Sequence, residues 1–176
     1  MRLYRYIGSD GIRSASSMEN ERHEVTGLQG LLDYIHNRQP RPKSGGEITF
    51  TYVVLPPGRL FLADRRSEHV SCARGGPVLT AGEITFRVIP GGVEVAEATN
   101  LSTGYCPESG SWQPLVAALD RSNVPGICGF THSFEFRFCA ACGMTSVIKD
   151  DLYECPGCDA PLPPDWNCQS DATSQA

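Results

Sequence analysis

Leu28, Leu31, Leu32 and Ile35 recur at i, i+3, i+4 and i+7, the apolar stripe of an amphipathic helix. Thr26 with Gln29 three residues later has the form of a capping box ahead of that stripe, and Asn37 and Pro40 end it. The basic, Pro- and Gly-rich run from Arg38 to Gly46 reads as a linker. From Glu47 the period switches to two. Ile48, Phe50, Tyr52 and Val54 alternate with Thr49, Thr51 and Val53, a strand stopped by Pro56-Pro57-Gly58, and Leu60 to Leu62 begin a second. Ile84, Phe86 and Val88 share one face of a third strand. Pro90-Gly91-Gly92 then turns the chain, and Val93 to Ala98 return as its hairpin partner. Ser111 stands as cap to a second helix carrying Leu115, Val116 and Leu119, with Pro114 tolerated in the first turn. Phe134, Phe136 and Phe138 alternate in a strand from His132 to Phe138. At the N-terminal end the pattern predicts one short strand over Leu3–Ile7 and irregular chain beyond it, including Ser14–Ser17. The last ten residues read as a frayed, disordered tail. The elements add up to an α+β, β-dominated domain with two short helices.

A chain of 176 residues can bury a core without disulfides. No apolar run approaches the roughly 18 residues of a membrane-spanning helix, so no membrane role is expected. Met1 to Tyr6 lack the apolar stretch of a signal peptide, which points to the cytoplasm. The 15 Lys and Arg face 20 Asp and Glu, a net charge of −5. An acidic chain gains no counterion-release affinity for a phosphate backbone, so nucleic acid is an unfavoured partner.

Cysteine placement changes the picture most. Of eight cysteines, four fall in Cys139-Ala-Ala-Cys142-Gly143 and Cys155-Pro-Gly-Cys158-Asp159, separated by 12 residues. A C-x-x-C on a tight turn aims both sulfurs at one ion about 2.3 Å away. A hairpin of Ser146–Ile148 with Leu152–Glu154, turning at Lys149-Asp150-Asp151, would bring the two turns together. Soft thiolates in tetrahedral array favour zinc over magnesium or calcium, and four sulfurs leave no open position, so one structural zinc is expected. A dithiol redox pair and a rubredoxin-like iron site are the alternatives. The segment resembles a zinc ribbon over about residues 134–164. The chain then divides into a main domain at 1–131, a zinc-ribbon lobe at 132–166 and the tail at 167–176. Phe134, Phe136 and Phe138 would dock the lobe, and Tyr153, Leu162 and Trp166 would cover its other side, unless Trp166 is an exposed anchor for a partner. Ribbons often bind nucleic acid, but Glu135, Asp150, Asp151, Glu154, Asp159 and Asp165 outnumber Arg137 and Lys149 here. Another protein is the expected partner.

Between Gly58 and about Val124 the sequence carries His69-Val-Ser, Gly75-Gly76, Ala81-Gly82-Glu83, the hairpin, and Ser102-Thr103-Gly104-Tyr105-Cys106-Pro107. This skeleton resembles a β-rich module of plant IQ-motif calmodulin-binding proteins and of some bacterial toxin-like proteins. The resemblance implies a β fold. No IQ helix is present, and the histidine of the module's Ser-Gly-His-Tyr element is missing, so calmodulin binding is not implied. Asn100, Ser102, Thr103 and Tyr105 form a polar loop between hairpin and helix. Such a loop either connects or binds a small ligand, and His69, Glu83, Ser102 and Tyr105 are the candidate ligand-loop residues.

Outside the ribbon, His69-x-x-Cys72 with Cys106 or Cys128, and His132 nearby, could build a second metal site, or Cys106 with His69 a nucleophile and base. Arg5, the Ser14–Ser17 stretch and Glu83 faintly resemble the Arg, Ser and Glu elements of ADP-ribosyltransferases, which implies a transferase, or otherwise a hydrolase, acting through the loops around His69, Glu83 and Tyr105. His23 and His36 are expected to face solvent. No compact catalytic motif is present, and no catalytic residue is assigned. The sequence therefore favours a zinc-stabilised, non-catalytic protein-interaction or accessory module.

Overall fold

The computed structural model describes residues 2–16, 21–38 and 43–169. Ser17, positions 39–42 of the Arg38–Gly46 linker and positions 170–176 of the expected tail lie outside the described residues. Among the described residues the chain runs α1 (Asp10–Ala15), β1 (Arg22–Glu24), α2 (Leu28–His36), β2 (Glu47–Leu55), β3 (Arg59–Asp64), α3 (His69–Cys72), β4 (Thr80–Ile89), β5 (Gly92–Ala98), α4 (Trp112–Arg121), β6 (Phe136–Phe138) and β7 (Thr145–Val147). Strands β1 to β5 form one antiparallel sheet in the order β1-β3-β2-β4-β5, and β6 pairs with β7 in a second. This is the α+β, β-dominated architecture that the periodicity predicts. Among the described residues no helix is long and apolar enough to cross a membrane.

Strand alternation sends each strand's side chains to two buried layers. Phe50, Tyr52, Val54, Leu60, Leu62, Ile84 and Phe86 face α2 and α4, meeting Leu31, Ile35, Leu115 and Leu119 in the larger core. Val53, Phe61, Ala63 and Ala81 face the other way, onto Val70 of α3, Tyr4 and Tyr105. The second layer explains why Val53 is apolar although Thr49 and Thr51 precede it on the same face of the strand. Pairing is in register throughout β2–β4, and one extra residue in β5 opposite Thr85/Phe86 makes a bulge.

Several expected elements differ. Leu3–Ile7 forms no strand; it adds only a bridge from Tyr4 to Val78. The stretch after it holds α1, capped by Ser9, whose Oγ accepts from the Ile12 N–H at 3.1 Å. The Thr26/Gln29 capping box does not form: α2 starts after Gly27, and Gln29 Nε2 donates along the helix to Asp33 at 2.9 Å. Ser111 does sit before α4, but its hydroxyl pairs with Thr80 at 3.1 Å rather than with the helix. His23 lies flat against Tyr34, centroids 4.4 Å apart, instead of facing solvent. The strand predicted from His132 shortens to β6, and β1 and α3 are not anticipated at all.

Ala81-Gly82-Glu83 lies inside β4. A Cβ on Gly82 would stand 2.0 Å from the Thr99 carbonyl oxygen and 3.0 Å from the Asn100 Cα, so the chain leaving β5 crosses directly over this residue. Because the obstruction is backbone, Gly82→Ala is expected to cost about 3 kcal/mol, read as a lower urea midpoint with unchanged slope.

Candidate metal centre

The two C-x-x-C turns are built alike. Cys139 N–H donates to the Met144 carbonyl at 2.8 Å, and Cys155 N–H to that of Ala160 at 2.9 Å. Four residues on from each first cysteine, Gly143 and Asp159 donate back to Cys139 and Cys155 at 2.8 and 2.9 Å. Both of these residues are left-handed, with φ of 75° and 57°. That conformation closes each turn, and Gly and Asp are among the residues that adopt it. The first turn is the loop of the β6–β7 hairpin. The second is closed by a Glu154–Pro161 bridge. The hairpin expected across Lys149–Asp151 is reduced to a bridge between Lys149 and Leu152, because Ser146 and Val147 pair with β6 instead.

The four sulfurs converge. All lie within 4.8 Å of one another, with Cys139 to Cys158 and Cys142 to Cys155 each at 3.6 Å. A tetrahedral ion with metal–sulfur bonds of about 2.3 Å needs sulfurs about 3.8 Å apart, so the donor set fits a metal ion without rearrangement. Backbone amides point at the sulfurs: those of Cys142 and Ala141 at Cys139, that of Met144 at Cys142, and that of Ala160 at Cys158. Hydrogen bonds to a sulfur favour its thiolate, but at Cys142 and Cys158 the neighbouring thiols and burial outweigh the amides and raise the group. The Cys142 amide, first among those at Cys139, brings that thiol down to about 7. Cys139 and Cys155 are buried against Leu162, with Ile148, Tyr153 and Ala160 around them.

The lobe is joined to the sheet by polar clamps as well as apolar packing. Phe136 is buried with Cys106, and Phe134, Phe138, Leu101 and Ile7 pack around them, as the Phe alternation predicts. Asn100, fully buried, uses its whole amide: Nδ2 donates to the Pro107 and Phe134 carbonyls at 2.8 Å each, and Oδ1 accepts from Phe134 N–H at 2.7 Å. Arg137 is 5% exposed. Its guanidinium donates inward to the carbonyls of Phe136, Pro163 and Pro164 and to Glu135. Trp166 is no exposed anchor. Its ring meets Tyr4 edge-on at 5.8 Å and lies under Arg2, and its Nε1 donates to the Cys106 carbonyl at 2.9 Å. Residues 167–169, expected in the tail, are bonded in: Asn167 pairs with both backbone groups of Phe138, and Gln169 donates to the Arg5 carbonyl.

The ligand-loop candidates separate. Tyr105 is buried, its hydroxyl donating to the Gly76 carbonyl at 2.8 Å. Ser102 is buried with no hydrogen-bond partner for its Oγ. Glu83 faces Arg65 at 3.3 Å. His69 lines a cleft of about 340 Å³ with Tyr6, Ile12, Glu68, Thr103 and Thr145, where α1 approaches the first cysteine turn. The other reactive candidates are also dispersed. Cys72 is buried beneath Arg22, and burial pushes its thiol up to about 12. Cys128 is exposed. Cys106 donates to the Thr103 carbonyl at 3.0 Å rather than to His69. Arg5 is exposed at the surface. Among the described residues only Cys139, Cys142, Cys155 and Cys158 bring three or more metal-ligating side chains together, so the second metal site is not formed.

His69 Nε2 lies 3.0 Å from the Gly82 carbonyl. A carbonyl only accepts, so Nε2 carries the proton and the neutral ring keeps its lone pair on Nδ1. Burial lowers the pKa of His69 below its ordinary 6.5, outweighing the Gly82 bond and the Glu83 charge. The unfolded chain therefore binds this proton first. The stabilisation is complete above about pH 6.5 and is lost as pH falls toward the lower folded value. His69→Gln is expected to lose less stability than the parent chain between about pH 7.5 and 5.5, measured by urea unfolding at both ends.

Comparison with protein-family models, curated proteins and solved structures gives no match to this chain. The chain folds into a five-stranded antiparallel β domain bearing a four-cysteine site able to hold a metal ion. Nothing in the comparisons supports the resemblance of the central segment to the IQ-motif module or of Arg5 and Glu83 to transferases. Sequence reading missed Asn100 and Arg137 as clamps. Asn100 stood in a polar loop and Arg137 between the phenylalanines of the His132–Phe138 strand, on its opposite face, and neither sequence position signals burial.

Proposed function

We propose that this chain is a zinc-stabilised, non-catalytic protein-interaction module. The observation that carries the reading is the convergence of four sulfurs at tetrahedral spacing. Zinc is the metal that such closed, redox-inert thiolate sites hold, and a sphere filled by four sulfurs leaves none for water or substrate. The metal's role is then to close the two cysteine turns on a lobe with little core of its own, fixing the surface that lobe presents. Arg137 is turned inward, while Asp150, Asp151, Glu154, Asp159, Asp165 and Lys149 are each exposed. Leu152, 62% exposed, follows Asp150 and Asp151 in sequence, and Met144 is exposed as well. An acidic surface carrying exposed apolar residues suits a basic protein surface and repels a phosphate backbone.

Cobalt substitution tests the closed sphere. The cobalt protein is expected to show the intense sulfur charge-transfer bands of a four-thiolate tetrahedral site, unchanged by added cyanide or azide. A spectrum that shifts with either anion would show an open coordination position and favour catalysis instead.

A further inference from the structure

The cleft beside His69 has a volume of about 340 Å³, within the roughly 300–1,000 Å³ of small-ligand sites. Four separate segments wall it: the 6–12 stretch with the start of α1, Glu68 and His69 at the start of α3, the 103–104 loop, and Gly143 and Thr145 around the first cysteine turn. The wall is preformed. Ile7 N–H donates to the Gly104 carbonyl at 2.8 Å. A Cβ on Gly8 would stand 2.5 Å from the Tyr6 hydroxyl, and one on Gly104 2.4 Å from the Tyr6 ring, so the two glycines hold that ring between them. On the inner side Tyr6 meets the buried Tyr105 edge-on at 5.6 Å.

The polar groups of the lining are acceptors with nothing to accept. His69 commits Nε2 to the Gly82 carbonyl. Its Nδ1 has no hydrogen-bond partner among the described residues and is not sealed from solvent. Glu68 is exposed and carries the one formal charge of the lining. Glu24, Glu47, Glu83, Glu94 and Glu108 each hold an arginine, whereas Glu68 is in no ion pair among the described residues. Arg13 acts on Tyr6 against Glu68 and Asp10, but it does not line the cleft. Hydroxyls of Tyr6, Ser9, Thr103 and Thr145 complete the polar lining, and Ile7 and Ile12 the apolar part.

We propose that this cleft is the docking site for an arginine side chain of a basic protein partner; the proposal rests on the interaction-module reading and names what that module grips. A guanidinium presents five N–H donors in a planar fan and no acceptor. That fan can meet the Glu68 carboxylate, the His69 lone pair and a hydroxyl in different directions at once, which the compact ammonium of lysine does less well. The methylene stem has Ile7 and Ile12 to lie on. A carboxylate or phosphate would meet Glu68 with no cation in the lining to offset it. Gly143 and Thr145 tie the cleft to the four-cysteine lobe, so loss of the metal would loosen one wall of the arginine site.

The test titrates the acetylated and amidated pentapeptide Gly-Gly-Arg-Gly-Gly into the metal-loaded, nitrogen-15-labelled full chain and follows the backbone amides by NMR. Saturable shifts are expected at Gly8, Ile12, Thr103, Gly104, Gly143 and Thr145. The same peptide with citrulline, which keeps the shape and loses the charge, is expected to bind at least about fivefold more weakly. Glu68→Gln, at an exposed position, should weaken the arginine peptide by a similar factor. Ile12→Lys, at a position 44% exposed, should remove binding by bringing a cation to the rim. The proposal is overturned if the cleft amides do not move, if citrulline binds as tightly as arginine, or if both variants bind as the parent does. Metal content is measured on the same sample. A chain that holds one zinc and ignores the peptide overturns the arginine site alone, whereas a folded chain without metal overturns the zinc reading whatever the peptide does.

Discussion

Cys142→Ser is expected to abolish stoichiometric metal binding and to unfold the lobe while the five-stranded sheet persists. A serine hydroxyl is a poor ligand at neutral pH, and three thiolates around one ion leave a position to water. In peptides of this class the metal supplies on the order of 10 kcal/mol of folding free energy. The lobe has few alternatives: its buried cluster holds Cys139, Cys155 and Leu162, two of them from the four-cysteine site. The sheet, by contrast, has two apolar layers of its own. The signature would therefore be two-stage melting in the variant, with the early transition reporting the lobe through Trp166 fluorescence. Cys155→Ser, on the buried side of the site, should behave the same way. Full metal occupancy with an unchanged melting curve in either variant would contradict the ligand assignment.

Asn100→Leu is expected to be the most damaging substitution that touches neither metal nor sheet. Leucine fills a similar volume but strands two carbonyls and one N–H in a fully buried position. Each unsatisfied buried group costs about 1–3 kcal/mol, so a loss of about 4 kcal/mol is expected, measured as a fall in the urea midpoint. Asn100→Asp keeps the acceptor for Phe134 N–H and loses both donors, so it should fall between parent and leucine. Equal stability of all three would mean that Asn100 does not hold the junction.

These outcomes bear on what the amino-acid sequence makes legible. Periodicity locates β2, β3, β4, β5, α2 and α4 because each is long enough to show a face: Phe50, Tyr52 and Val54 for one strand, Leu31 and Ile35 for one helix. It is blind to β1 and α3, which have three and four residues, less than two repeats of any pattern. The four converging cysteines are legible for a different reason. A C-x-x-C turn is a local geometric unit, and Gly143 after one pair and Asp159 after the other supply the left-handed residue that it needs. Docking of the lobe is only half legible. The Phe134-Phe136-Phe138 alternation announces an apolar seam, whereas the clamps of Asn100, Arg137 and Asn167 are long-range hydrogen bonds written in residues that most often face water. Trp166 could not be assigned for the same reason: its neighbours Tyr4 and Arg2 lie at the opposite end of the chain.

Metal content per chain, measured by inductively coupled plasma mass spectrometry on untagged protein, tests the central claim most directly. One zinc per chain, retained through dialysis and lost together with the lobe's folding when a strong chelator is added, is the predicted result. Iron at that stoichiometry, or a folded lobe that carries no metal at all, would contradict it.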